Sequence, residues 1–182
     1  MKRIIIISLL VLVAFSANAA DFRDVEWGMS KAEVTGREGR QPDYEDEHMM
    51  AYIVDLLGSE FALGYMFYKD KLTNAKYMLM DKSVQGQDYF NLIESLNQGL
   101  INSYGKPSGH GILWLDSGYK NDTSNFRLAV KNGSAVVDRE YETKNINVYF
   151  GVQGEDNEDL FFILYTPKDS NLARLRKQRE HE

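Results

Sequence analysis

The side chains of this sequence that could do chemistry are three histidines, two acidic clusters and one glycine-lysine pair. His48, His110 and His181 are the only imidazoles, and none stands three or four residues from another metal-type ligand on a segment that reads as helix. A zinc site needs three or four converging ligands, so this spacing points away from one. A serine nucleophile would have to borrow one of the same imidazoles, and no Gly-x-Ser-x-Gly elbow is present. Gly105-Lys106 invites comparison with a phosphate loop. Gly99, however, lies one residue too far upstream, Pro107 takes the Ser/Thr position, and a helical pattern rather than a strand comes before it. The pair reads as a helix stop. Ser108-Gly109-His110-Gly111 could turn backbone N–H groups toward an anion, although a surface turn is the plainer reading. Residues 43–47 and 155–159 gather the carboxylates that calcium prefers, without the alternating spacing and central glycine of an EF-hand. They read as solvated turns. No catalytic residue, metal ligand or cofactor is expected.

Aromatic and thioether groups offer a different chemistry, that of contact. Within 60–68, Phe61, Leu63, Tyr65 and Phe67 alternate with Ala62, Gly64, Met66 and Tyr68, and the first set is expected in the core. Within 146–152, Asn147, Tyr149 and Gly151 likewise fall on the side away from the core. Tyrosine and methionine supply interface area without a charge to desolvate. Met66, Tyr68 and Tyr149 are therefore the candidate protein-binding residues. The competing reading is that the terminal helix covers this face, or that it is simply amphipathic. Arg174, Arg176, Lys177 and Arg179 beside Leu172 and Leu175 suit the C-terminal end of a helix better than an anionic membrane surface.

Several elements must position these groups. Ser30 and Glu33 have the capping-box spacing, which predicts a helix over 30–38 that stops at Gly39 with Pro42 beyond. The charged stretch 43–48 reads as a loop. Strands are predicted over 50–57, 60–68 and 72–80, with turns at Gly58-Ser59 and Lys69-Asp70-Lys71. Asp88 can cap a second helix over 88–104, whose stripe is Phe90, Ile93, Leu96 or Asn97, Leu100 and Tyr104, widened by Leu92 and Ile101. Gly105 and Pro107 end it, and a strand follows over 111–115. This repeat of helix, glycine-proline stop and strand suggests two weak repeats, about 26–82 and 86–182. In 119–133, Asn132-Gly133 signals a hairpin, while Asp122 or Ser124 could cap a short helix; the polar lead-in favours the helix. Strands at 136–142, 146–152 and 159–166 and a helix at 170–178 complete the chain. The expected fold is α+β: an antiparallel sheet made of two helix-then-three-strand halves, with the helices on one face. Its predicted core is Val34, Phe61, Leu63, Phe67, Leu92, Ile93, Leu96, Leu100, Ile146, Val148 and Phe150.

Residues 1–19 read as a signal peptide: Lys2 and Arg3, an apolar run from Ile4 to Val13, then Ala17-Asn18-Ala19 with cleavage before Ala20. The apolar run is too short to span a bilayer as a helix, so no transmembrane span is expected after cleavage. A periplasmic or secreted protein, 20–182, is expected to form a single domain. With no cysteine in the sequence, neither a lipid anchor nor a disulfide is expected. Removing 1–19 takes away Lys2 and Arg3 and no acid, so the formal charge goes from −6 to −8. A chain of that sign repels phosphate backbones, which argues against nucleic acid as a partner.

Residues 22–34, the glycine-proline stop after each helix, and Tyr141-Glu142-Thr143 leading into Ile146-Asn147-Val148 resemble a group of small secreted bacterial proteins that open with a tryptophan-glycine-methionine-serine segment. More distantly, a helix begun by Gly-Met-Ser and ended by Gly-x-Pro before an antiparallel hairpin resembles the SmpA/BamE-like module and its tandem form in the beta-lactamase inhibitor protein. The near resemblance brings no activity with it. The distant one implies an architecture and a habit of binding proteins of the cell envelope. The lipobox cysteine of that group is absent, and its inhibitory loop has no counterpart that can be assigned to residues of this sequence. The expectation is a non-catalytic envelope protein that binds another protein, with a small-ligand carrier or a hydrolase as the alternative.

Overall fold

Ser30 opens the first helix in the way its spacing predicts. The computed structural model describes residues 22–179; the signal peptide expected over 1–19 and His181 lie outside the described residues. Helix α1, Lys31–Glu38, has a complete capping box: the Ser30 hydroxyl oxygen accepts from the Glu33 N–H at 3.3 Å, and the Glu33 carboxylate accepts from the Ser30 N–H at 2.8 Å. Gly39, at φ +70°, closes it. Val34 is its one buried residue, so polar contacts help to hold it down. The Glu38 carboxylate accepts a hydrogen bond from the Tyr65 hydroxyl and pairs with Arg23 at 3.1 Å, and Arg23 also donates to the Tyr77 hydroxyl at 3.1 Å.

Four strands follow: β1 Tyr44–Glu45, β2 Met49–Leu56, β3 Ser59–Tyr68 and β4 Lys71–Leu79. Leu57-Gly58 and Lys69-Asp70 link the longer ones, each with both residues at positive φ, the two-residue geometry whose twist matches that of paired strands. Helix α2, Gly86–Tyr104, leads to β5 Ser108–Trp114, helix α3 Phe126–Lys131, strands β6 Ala135–Glu142, β7 Ile146–Glu155 and β8 Glu158–Pro167, and helix α4 Ser170–Arg179. All eight strands form one antiparallel sheet in the order β1-β2-β3-β4-β8-β7-β6-β5. Two meanders meet where β4 pairs with β8, from Ala75 opposite Tyr165 to Met78 opposite Phe162.

Register shows what each face carries. On the front, Tyr65, Ala75, Tyr165, Val148 and Tyr141 stand side by side across five strands. Helix α1 meets this row at Tyr65. Helix α2 meets it at Tyr141, whose hydroxyl donates to Asn97 at 2.7 Å, so both helices lie on one face. Between them the ring of Phe22 lies 4.4 Å from Tyr165 and 5.9 Å from Tyr65. Burying side chains of this size supplies most of the stabilisation, roughly 2 kcal/mol for each fully buried one. Helix α4 packs against β3, β4 and β8 from the back, where Asn74 and Thr166 are buried.

The structure corrects several expectations. The sheet has eight strands, so three strands to each half was too few. Part of the difference is β1, a two-residue strand inside the stretch expected to be loop. It forms because the Asp43 carboxylate accepts from the Ile53 N–H at 2.7 Å and Asp46 accepts from His48 and Met49 at 2.8 Å, folding the loop back onto β2. Helix α2 starts two residues before Asp88, behind Gln85, with no side-chain cap; Asp88 sits in the first turn, where a negative charge favours the helix dipole. Leu96 is half-buried, while Asn97 turns inward to the Tyr141 hydroxyl. The ambiguous 119–133 segment is helical at 126–131, led in by Asp122, whose side chain accepts from the Asn125 N–H.

Candidate functional site

The back of the sheet carries the contact residues singled out in the sequence. Ile53, Ala62, Met78, Phe162, Gly151 and Asp138 form one row across six strands, and Ala51, Gly64, Lys76, Leu164, Tyr149 and Glu140 form the next. Two glycines keep this surface low. A Cβ at Gly151 would stand 2.8 Å from both the Phe162 and Tyr149 rings, and one at Gly64 would stand 3.2 Å from the end of Met66. The long side chains therefore lie down over bare backbone. Tyr149 and Phe162 contact each other with ring centroids 5.6 Å apart. Ile53 and Leu160 are each 40% exposed, while Met66, Met78, Tyr149, Phe162 and Leu164 are half-buried. Burial raises the Tyr149 phenol pKa above its usual value, and the Asp138 carboxylate beside it adds to the shift.

Met66 and Tyr149 share this face but not one strand pair, since β4 and β8 run between them. Tyr68 is elsewhere. It is 4% exposed and lies in the wall of a surface cavity of about 380 Å³, with Lys31, Glu47, His48, Lys69 and Asp70. The Lys69 ammonium lies 5.0 Å from the centre of its ring. The Lys31 ammonium is held by the Asp46 carbonyl and pairs with Glu45 at 3.5 Å, and the Lys31 N–H donates to Asp70 at 3.0 Å. Tyr68 is therefore covered, although it stands outside the hydrophobic core cluster. The turn at Lys69-Asp70 and the start of α1 close over it.

The acidic clusters serve the fold. Asp43 and Asp46 accept backbone N–H groups, and these bonds hold both carboxyls below the usual range. Asp159, expected in a solvated turn, is buried: it pairs with Arg127 at 3.0 Å and accepts from the Tyr89 hydroxyl at 2.7 Å. Burial first, and then this carboxylate, push the Tyr89 phenol far above its usual range. Arg127 also donates to the Lys82 and Val84 carbonyls and lies 4.8 Å from the Tyr89 ring centre, so the trio ties α2, α3 and β8 together. His48 precedes β2 and His110 lies in β5, near opposite ends of the strand order. Among the described residues no group of three or more His, Cys, Asp or Glu is placed to hold a metal ion.

Sequence reasoning missed Ile53, Met78, Leu160, Phe162 and Leu164 as members of the back face. Alternation within β8 could have separated its two sides, but only the pairing of β4 with β8 joins them to Met66 and Tyr149. Among the described residues no helix is long and apolar enough to cross a membrane. No family model, no curated protein and no solved structure matches this chain.

Proposed function

We propose that this chain is a non-catalytic protein, exported to the periplasm or secreted, that binds another protein of the cell envelope through the back of its sheet. The observation that carries the reading is the row Ile53, Ala62, Met78, Phe162 and Gly151, apolar across five adjacent strands on the side away from α1, α2 and α3, a face that α4 shares where it packs on β3, β4 and β8. A flat apolar surface with aromatic anchors is what protein interfaces concentrate their energy on. Asp138 and Glu140 border it beyond Tyr149, so the partner should combine an apolar patch with a basic flank. The two meanders joined through β4 and β8 support a related proposal, that the chain is a tandem repeat of a helix followed by four strands.

The test is capture from envelope extract. Wild type should retain one specific protein, and the Ile53→Ser, Leu160→Ser double variant should lose it while melting at the same temperature, because both side chains are 40% exposed. Recovery of the same partner by both forms would remove the back face from the proposal. A small-ligand carrier or hydrolase is the second reading, favoured by the cavity of about 380 Å³ that holds Lys31, His48 and Tyr68. Turnover of an esterase, phosphatase or glycosidase panel, with no protein retained, would move the assignment there.

A further inference from the structure

The two ends of the sheet differ in how they are finished. At one end β1 has two residues, one of them Glu45, and Asp43, Asp46 and Glu47 surround it. Brevity and charge are the usual means of blunting an edge. At the other end, β5 runs Ser108–Trp114, and residues 107–115 contain no Asp, Glu, Lys or Arg. Its first half is irregular, with a register shift between Ser108 and Gly111, but from Gly111 onward it pairs regularly with β6.

The direction of its peptide groups follows from one hydrogen bond. The Leu115 N–H donates to the Ser134 carbonyl at 2.7 Å, in the same register that sets Leu113 opposite Val136 and Gly111 opposite Asp138. Bonded and non-bonded pairs alternate along an antiparallel ladder, so Gly111 and Leu113 turn their N–H and C=O groups toward β6, and Ile112 and Trp114 turn theirs outward. Among the described residues no backbone group meets these two from the outer side. Alternating donors and acceptors along an extended chain have one natural complement, another strand.

We propose that this strand is β5 of a second copy of the chain, paired antiparallel so that the sheet continues across both copies. The edge is self-complementary. With Leu113 opposite Leu113 of the second copy, Ile112 faces Trp114 and Trp114 faces Ile112, which gives four main-chain hydrogen bonds from groups that are otherwise open. On one face Ile packs beside Trp. On the other the two Leu113 side chains meet, and Leu115, 67% exposed, comes opposite Gly111, where nothing lies within 4 Å of the missing Cβ. His110 falls opposite Asp116, which is itself extended at φ −115° and ψ 123°. No like charges meet along this seam, although each chain is acidic overall. So short a pairing buries less than the roughly 1,200 Å² of a standard interface, so the dimer is weak and concentration-dependent. It uses the edge of the sheet rather than the back face and stands independently of the reading above.

Sedimentation of the mature chain over a range of concentrations, with amide hydrogen exchange at each end of that range, tests the proposal. The expected result is a mass rising from one chain toward two. Over the same range the Ile112 and Trp114 amides should slow, while the Leu113 amide, bonded within the chain, should be slow throughout. Leu113→Lys should keep the mass at one chain with an unchanged circular dichroism spectrum, because it sets two like charges opposite each other. If that variant misfolds, the exchange pattern of the wild type still decides. A single-chain mass at every concentration would overturn the proposal, as would a dimer in which the Ile112 and Trp114 amides exchange freely. Protection of those amides only when an extended peptide of another protein is added would assign the edge to that partner instead.

Discussion

Glu33 stands at the third position of α1, where its carboxylate accepts from both the N–H and the hydroxyl of Ser30 at 2.8 Å. These bonds, the backbone one first, hold its carboxyl below the usual value. A folded-state pKa that is depressed contributes stability above the unfolded value and loses it as pH falls through the folded one. Ser30→Ala should cost about 1 kcal/mol of unfolding free energy at neutral pH, as the loss of a serine cap does. The penalty should shrink in acid, once Glu33 is protonated and its half of the box is gone in both forms. Urea titrations of both proteins at neutral pH and near pH 3 check this, and an equal loss at both would mean that the two halves of the box act separately. This contact was legible in the sequence because it spans three residues. Asp159 was not: what gives it its role is Arg127, 32 residues away, and Tyr89, 70 away, and no local spacing announces either.

Elements were legible wherever their ends carry their own signals. Helix α1 has its cap and its glycine, α2 its apolar stripe and its stop, and the hairpin at Lys69-Asp70 its polar turn. Strand β1 and the start of β5 were hidden because pairing rather than propensity makes them, β1 through the Asp43 bond to Ile53 and β5 through β6. Glycines give a direct test of how far an element's environment departs from its sequence. Gly36 lies inside α1 with nothing within 4 Å of a built Cβ, so Gly36→Ala should stabilise the protein by about 0.8 kcal/mol through helix propensity alone. Gly154 lies inside β7, where a Cβ would stand 2.3 Å from the Val130 carbonyl oxygen and 2.8 Å from that of Lys131, at the end of α3. The obstacle is backbone, so Gly154→Ala should destabilise by about 2 kcal/mol, in the range for overpacking. Thermal melts of the two variants should move in opposite directions. A neutral Gly154→Ala would mean that α3 is free to shift on β7.

The whole molecule depends on the seam between β4 and β8, the feature least visible in the sequence. Each meander follows from local turns, but the joining of β4 to β8 brings together residues about ninety positions apart, and it alone decides which apolar rows become continuous. That is why Tyr65 and Tyr165 could each be placed on a strand without being placed in one row. It is also why the back face was legible only strand by strand, as Ala62, Gly64 and Met66 on one strand and Asn147, Tyr149 and Gly151 on another. The seam is short in backbone terms, four residue pairs, yet dense in side chains: Phe61 packs on Phe161 at 5.6 Å, Tyr77 on Tyr165 at 6.1 Å, and Phe22 on Tyr165 at 4.4 Å. Separating the halves would expose these rings and leave β4 and β8 as long open edges. A chain of roughly 60 residues also buries too little of its surface to make up that loss with ease. Fragments 22–82 and 83–179, produced separately, should therefore each lack a cooperative thermal transition. Mixed in equal amounts, they should recover the near-ultraviolet dichroism of the intact chain, because the rings regain fixed surroundings only when β4 meets β8. A cooperative melt from 22–82 alone would show that the first meander is a folding unit in its own right and that the seam is a docking contact between two finished halves.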